Sequence, residues 1–176
     1  MDDLHFRPIS QGYGWLIGQT PQEVINEFKT PISKLQKNFE EGIKYNDNLV
    51  GEIQHEFALP VGKKFTRYIK EMASSYDKIT KYITYNNAEG HYTKNKHNLS
   101  TGDAWVNFQQ KHEYNPLHHH SGVLSYVLWY KIPYTLEKER EYTYKSDRER
   151  CVNGDFVFYF PQIVNDRVMI VNQALS

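Results

Sequence analysis

The apolar pattern of this chain changes period once, near residue 82, from about 3.6 residues to 2, and that switch limits the folds open to it. Before the switch, Thr20-Pro21-Gln22-Glu23 reads as a capping box with proline at the first helical position. Val24, Phe28, Leu35 and Phe39 follow at helical spacing, with Pro31 as a break or kink. Gly42 and Asn46-Asp47-Asn48 close that element. A second helix is predicted from about Gly62 to Ile79, with Phe65, Ile69, Met72, Tyr76 and Ile79 as its core stripe. Leu49 to Leu59 reads as a short strand between them.

After the switch, strands are predicted at Trp105 to Phe108 and, longest of all, at Val123 to Tyr134. Tyr142 and Tyr144 alternate with polar residues, and Phe156, Phe158 and Phe160 share one face. Asn165-Asp166 turns the chain into Arg167 to Val171. Residues 86–101, rich in Asn, Gly, Lys and His, read as an exposed loop. Helices followed by a run of strands predict one domain over residues 1–176, mainly helical to 81 and β from 82, built as a helical layer on an antiparallel sandwich or barrel. The aromatic share supports this: 14 Tyr, 9 Phe and 3 Trp favour pleated, half-buried surfaces.

Charge narrows the partners. Lys plus Arg and Asp plus Glu are 21 each, so no basic footprint for nucleic acid is expected. No run approaches the roughly 18 apolar residues of a membrane helix, and Met1-Asp2-Asp3-Leu4-His5 does not read as a signal peptide. The expectation is a cytoplasmic chain. Cys151 is the only cysteine, which excludes an internal disulfide and reads as a small packing residue.

Of eight histidines, His5, His55, His91 and His97 read as surface or packed residues. The run His118-His119-His120 is different, because it stands between Asn115-Pro116-Leu117 and Ser121-Gly122, directly before the longest predicted strand. On an extended chain His118 and His120 point to one face and His119 to the other. Two imidazoles so placed can converge on one metal ion, and imidazole suits iron, zinc, copper and nickel alike. Leu124 and Ser125 stand where a cupin would place its glutamate, and no histidine follows His120. Ser121-Gly122 lacks a nucleophile elbow, Gly12-Tyr13-Gly14 lacks the rest of a phosphate loop, and Glu137 to Glu141 reads as a solvated loop or strand edge.

Ala104-Trp105-Val106-Asn107, Tyr114-Asn115-Pro116-Leu117-His118-His119-His120-Ser121-Gly122, Leu124-Ser125-Tyr126-Val127-Leu128-Trp129 and Ile132-Pro133-Tyr134 resemble a group of 2-oxoglutarate/Fe(II)-dependent oxygenases common in marine phages and environmental sequences. Asn48 to Phe57 and Gly154 to Phe158 are similar to other parts of that group, so the resemblance runs over roughly residues 45–176. It implies a double-stranded β-helix, or jelly roll, with helices against one sheet. It also implies Fe(II) held by an H-x-[DEH] pair, here His118 and His120, and by a distal histidine, with 2-oxoglutarate chelating the iron and anchored by a late Arg or Lys. The substrate, hydroxylated at a C–H bond, is an unidentified small molecule or peptide. Histidine at the second position leaves the site one negative charge poorer than a facial triad.

Asp166 stands where the group's distal histidine is expected. Residues 154–171 therefore read as the preceding hairpin of a jelly roll incomplete at its C-terminus, lacking the third ligand and the anchor. An unclosed sheet edge of that kind favours a homo-oligomer. Trp105, Asn107, Tyr126 and Trp129 are candidate pocket lining. Two other readings stay open: a jelly-roll binding module without turnover, and an enzyme using another ion such as zinc.

Overall fold

Two amphipathic helices crossing against one another make the principal core. The computed structural model describes residues 5–10, 13–81, 99–120, 122–141, 156–164 and 167–175. They divide into two compact units, Met1–Leu128 and Trp129–Ser176.

The first unit begins with an antiparallel hairpin, β1 (His5–Ser10) and β2 (Tyr13–Ile17), whose register shifts between Pro8 and Ser10. Helix α1 (Gln22–Lys37) follows and buries Val24, Phe28, Ile32 and Leu35. Helix α2 (Lys63–Thr80) buries Phe65, Tyr68, Ala73 and Tyr76. Phe28 meets Phe65 edge-on, with ring centroids 4.9 Å apart. Leu59, Val61, Ile69, Met72, Val106, Phe108 and Leu128 close around this cluster. Two phenols tie α2 to the preceding segment: Tyr76 donates to the Gly14 carbonyl at 3.2 Å, and Tyr68 to that of Gln19 at 3.5 Å.

Local signals place both helices but mistake some of their details. Pro21, not Thr20, occupies the N-cap of α1, and no side chain caps that end. Pro31 lies inside α1 rather than ending it. A proline there removes one helical bond, an effect of about 3 kcal/mol. Phe28, Ile32 and Leu35 are buried around it, and burying a large aliphatic or aromatic side chain contributes about 1.5–3 kcal/mol each. Phe39 falls beyond α1, in a 3-10 turn (Phe39–Glu41) opened by Asn38, whose side chain accepts from the Glu40 amide. Ile79 is 54% exposed, so the buried stripe of α2 stops at Tyr76.

Between the helices the chain forms β3 (Glu56–Ala58), shorter than the strand expected over Leu49 to Leu59. It pairs antiparallel with β4 (Trp105–Asn107), setting Glu56 opposite Asn107 and Ala58 opposite Trp105. Residues 43–45 run along its other side, where the Tyr45 amide donates to Glu56 and the Ala58 amide to Ile43. Phe57, 1% exposed, stacks with Phe39, which also stacks with His55 at 4.1 Å.

The second unit holds a short helix α3 (Leu136–Glu141), where a solvated loop or strand edge is expected, and a long hairpin, β5 (Phe156–Val164) with β6 (Arg167–Leu175). The register runs from Phe156 opposite Leu175 to Val164 opposite Arg167, which agrees with the hairpin predicted there. Pro161 is tolerated within β5 because a two-stranded ribbon leaves one edge of each strand unpaired. Trp129 packs edge-on against Phe156 at 5.4 Å.

The expected fold class is therefore corrected. The chain is not mainly β and, among the described residues, forms no double-stranded β-helix: its strands pair only in three separate two-stranded antiparallel sheets. A jelly roll needs two larger sheets packed face to face. The main reason is Val123 to Tyr134, the longest predicted strand, of which no residue is in a strand. Leu124, Tyr126, Val127 and Trp129 are each at least 38% exposed. Aromatic and β-branched content favours a strand only where a neighbouring strand supplies cross-strand contacts, and no strand pairs with this segment. Tyr142, Tyr144, Cys151 and the Asn165-Asp166 turn lie outside the described residues, as does the predicted loop up to residue 98. No helix among the described residues is long and apolar enough to cross a membrane.

Candidate metal centre

The segment carrying His118 and His120 is held by backbone and carboxylate contacts, not by a sheet. After β4 the chain turns at Lys111-His112, with His112 in the left-handed region at φ 73°. Glu113 then ties two loops together. One carboxylate oxygen accepts from the Gln54 amide at 3.1 Å and the other from the Gln110 amide at 2.7 Å. The Glu52 amide donates to the Tyr114 carbonyl at 3.0 Å. Gly51 passes close to the Asn115 side chain, which a Cβ at that position would push aside.

From that base, the two imidazoles converge. His118 Nε2 and His120 Nε2 stand 3.0 Å apart, with ring centroids at 4.8 Å and planes at 63°. His118 Nδ1 lies 2.8 Å from the Pro116 carbonyl. A carbonyl only accepts, so Nδ1 carries the hydrogen and Nε2 of neutral His118 presents a lone pair. Without a metal, His120 Nε2–H donates into that lone pair. A metal ion would replace the shared proton, His120 passing to its Nδ1–H tautomer. Backbone carbonyls commonly fix metal-ligating histidines in this way.

Electrostatics favour neutral His120. The pKa of His120 lies below the usual histidine value, first through desolvation and then through the neighbouring charges of His118 and His119. His120 also stacks on Trp105, with centroids 6.3 Å apart and planes at 16°. Behind Trp105 stacks Tyr45, at 5.5 Å and 13°. The Tyr45 hydroxyl donates to Asp103 Oδ2 at 2.9 Å, and this bond raises the phenol pKa. Trp105 thus stacks with both Tyr45 and His120, and His120 meets His118 edge-on.

The fit to a metal follows from one distance. Two nitrogens each about 2.1 Å from an ion and at right angles to each other stand about 3.0 Å apart. The observed separation is that of the hydrogen bond between the two rings, and it is also close to two adjacent octahedral positions around one ion. Among the described residues, no group of three or more His, Cys, Asp or Glu side chains is placed to share an ion. The pair would supply two ligands at most, and among the described residues no third such side chain stands beside it.

Of the four candidate lining residues, only Trp105 is brought to the pair. Asn107 is exposed opposite Glu56, Tyr126 packs edge-on against Phe65 at 5.4 Å, and Trp129 belongs to the second unit. His118 and His120 do not open a strand, since residues 118–120 carry no regular secondary structure. Sequence reasoning missed Tyr45, Asp103 and the Pro116 carbonyl. Only the last had a local signal, being two residues before His118. No family model, curated protein or solved structure matches the chain.

Proposed function

We propose that this chain is a metal-dependent oxygenase of the 2-oxoglutarate/Fe(II) type, with His118 and His120 as two ligands of the iron and a small molecule or peptide as substrate. The observation that carries the reading is the 3.0 Å approach of the two Nε2 atoms with His118 locked by the Pro116 carbonyl. The sequence resemblance over residues 104–134 supports the choice of iron and 2-oxoglutarate. When bound, they supply oxygen activation coupled to decarboxylation. The reading rests on the pair and on that resemblance, although the jelly roll that the resemblance also implies is not formed among the described residues.

The chain's own residues have separable tasks. Pro116 holds one imidazole in the tautomer a metal requires. His118 and His120 would hold the iron, leaving its other positions to co-substrate and oxygen. Trp105, which stacks with Tyr45 and with His120, restrains the second imidazole.

The test is succinate formation from 2-oxoglutarate by the protein loaded with Fe(II) under exclusion of air and then exposed to oxygen. Turnover that persists in His119→Ala and is lost in His118→Ala and His120→Ala supports the reading. Iron that binds at the pair without any succinate overturns the oxygenase and leaves a metal-binding module.

A further inference from the structure

The seam between α1 and α2 carries a trough that the metal centre does not use. One lobe, of about 500 Å³, is lined by Lys63, Thr66, Arg67, Lys70, Glu71 and Ser74, with Val61 and Gly62 at its base. The other, of about 390 Å³, shares Val61 and Gly62 and adds Pro31, Pro60, Thr30 and Lys34. Its remaining wall is Glu27.

Charge in this trough is lopsided. Lys34, Lys63, Arg67 and Lys70 face two carboxylates, and Glu27 is already engaged by the amides of Lys64 and Phe65. Lys63, Arg67 and Lys70 recur at i, i+4 and i+7, which puts them on one face of α2, and all three are exposed. This placement works against the helix. The first turn of α2 holds Lys63 and Lys64 with no acidic residue, although cations are unfavourable at the positive end of a helix. The Glu27 carboxylate offsets the cations at the first turn, but Lys34 and Lys70 have no such carboxylate bonded to them among the side-chain contacts of the trough.

We propose that this trough docks an acidic peptide segment carrying apolar side chains. Pro31, Pro60 and Val61 line the second lobe, beside the lobe that carries the row of cations, and suit aliphatic side chains. Carboxylates on the peptide would meet the row of cations. The helical rise separates Lys63, Arg67 and Lys70 by about 6 and about 4.5 Å along the axis. An extended peptide repeats same-side groups about every 6.7 Å, which long flexible Lys and Arg side chains accommodate. Single-stranded nucleic acid fits less well, because no Phe, Tyr, Trp or His lines either lobe to stack a base.

The experiment is fluorescence anisotropy on the full chain with a short labelled peptide in which Glu alternates with Val or Pro. The expected result is saturable binding, weakened by salt and at least about tenfold weaker in the triple variant Lys63→Gln, Arg67→Gln, Lys70→Gln. Circular dichroism confirms that the variant keeps its helices, and the triple variant Lys29→Gln, Lys37→Gln, Lys78→Gln, at exposed positions outside the trough, serves as a charge-matched control with unchanged affinity. Equal binding by the triple variant overturns the proposal, as does the absence of saturable binding. A short oligo-dT that binds as tightly as the peptide overturns it in favour of a phosphate-backbone site.

Discussion

The carboxylate of Glu27, on α1, closes the first turn of α2 by accepting from the Phe65 amide at 2.8 Å and the Lys64 amide at 3.1 Å. Gly62, the N-cap of α2, provides no side chain for that purpose, and a Cβ there would strike the Glu27 carboxylate. One helix therefore caps the other, and the cap also fixes where they cross.

This relationship predicts a pH dependence. The bond to the Phe65 amide is the main cause that holds the Glu27 pKa below the usual value. A depressed carboxylate stabilises the fold fully above its unfolded pKa, about 4.3, and loses that contribution as pH falls through the lower folded value. Glu27→Gln should lower the denaturant midpoint at neutral pH, and the gap to wild type should narrow below pH about 4. A gap that stays constant across that window would separate Glu27 from the capping role.

Glu56 has the opposite sign. It is 2% exposed, with one carboxylate oxygen lacking a partner and the other accepting from Asn46 at 3.3 Å. Burial, and secondarily the charge of Glu113, raises its pKa. A raised carboxylate destabilises the fold while ionised, and acidification through its folded pKa toward about 4.3 relieves that cost. Glu56→Gln should stabilise the protein at pH 7 by about 1 kcal/mol. The advantage should shrink as pH falls toward that window in urea titrations at several pH values. A variant less stable than wild type at pH 7 would contradict the assignment.

Helical positions that look alike in sequence should differ sharply in cost. Phe28 is 2% exposed and meets Phe65 edge-on, whereas Ile79 is 54% exposed. Phe28→Ala should destabilise by about 3–5 kcal/mol. Ile79→Ala should stay within about 0.5 kcal/mol, as surface substitutions do. Denaturant midpoints measure both, and comparable losses would place Ile79 in the core.

What the sequence disclosed follows what each element needs. Helix α1 and helix α2 were legible because Val24, Phe28, Phe65 and Tyr76 repeat at a period that a single chain segment satisfies by itself. The β5/β6 hairpin was legible because its partner strand lies next to it in sequence. Val123 to Tyr134 misled, since a strand is completed by a neighbour that its own residues do not encode. The hairpin β1/β2 was missed because it is short and its register shifts between Pro8 and Ser10. At the candidate site, the spacing of His118 and His120 disclosed that the rings share a side. The stack of Tyr45 on Trp105 joins residues 60 positions apart in the chain, brought together because residues 43–45 and β4 both lie along β3, which periodicity cannot reveal.

The most direct test of the metal centre is a titration with Fe(II), or with Co(II) as a coloured substitute, followed by absorbance and calorimetry. Wild type should bind one ion per chain. His118→Ala and His120→Ala should each weaken binding by at least about tenfold, while His119→Ala should remain within about twofold, because only the first two rings converge. Equal affinity in all three variants, or the greatest loss in His119→Ala, would contradict a centre built on His118 and His120.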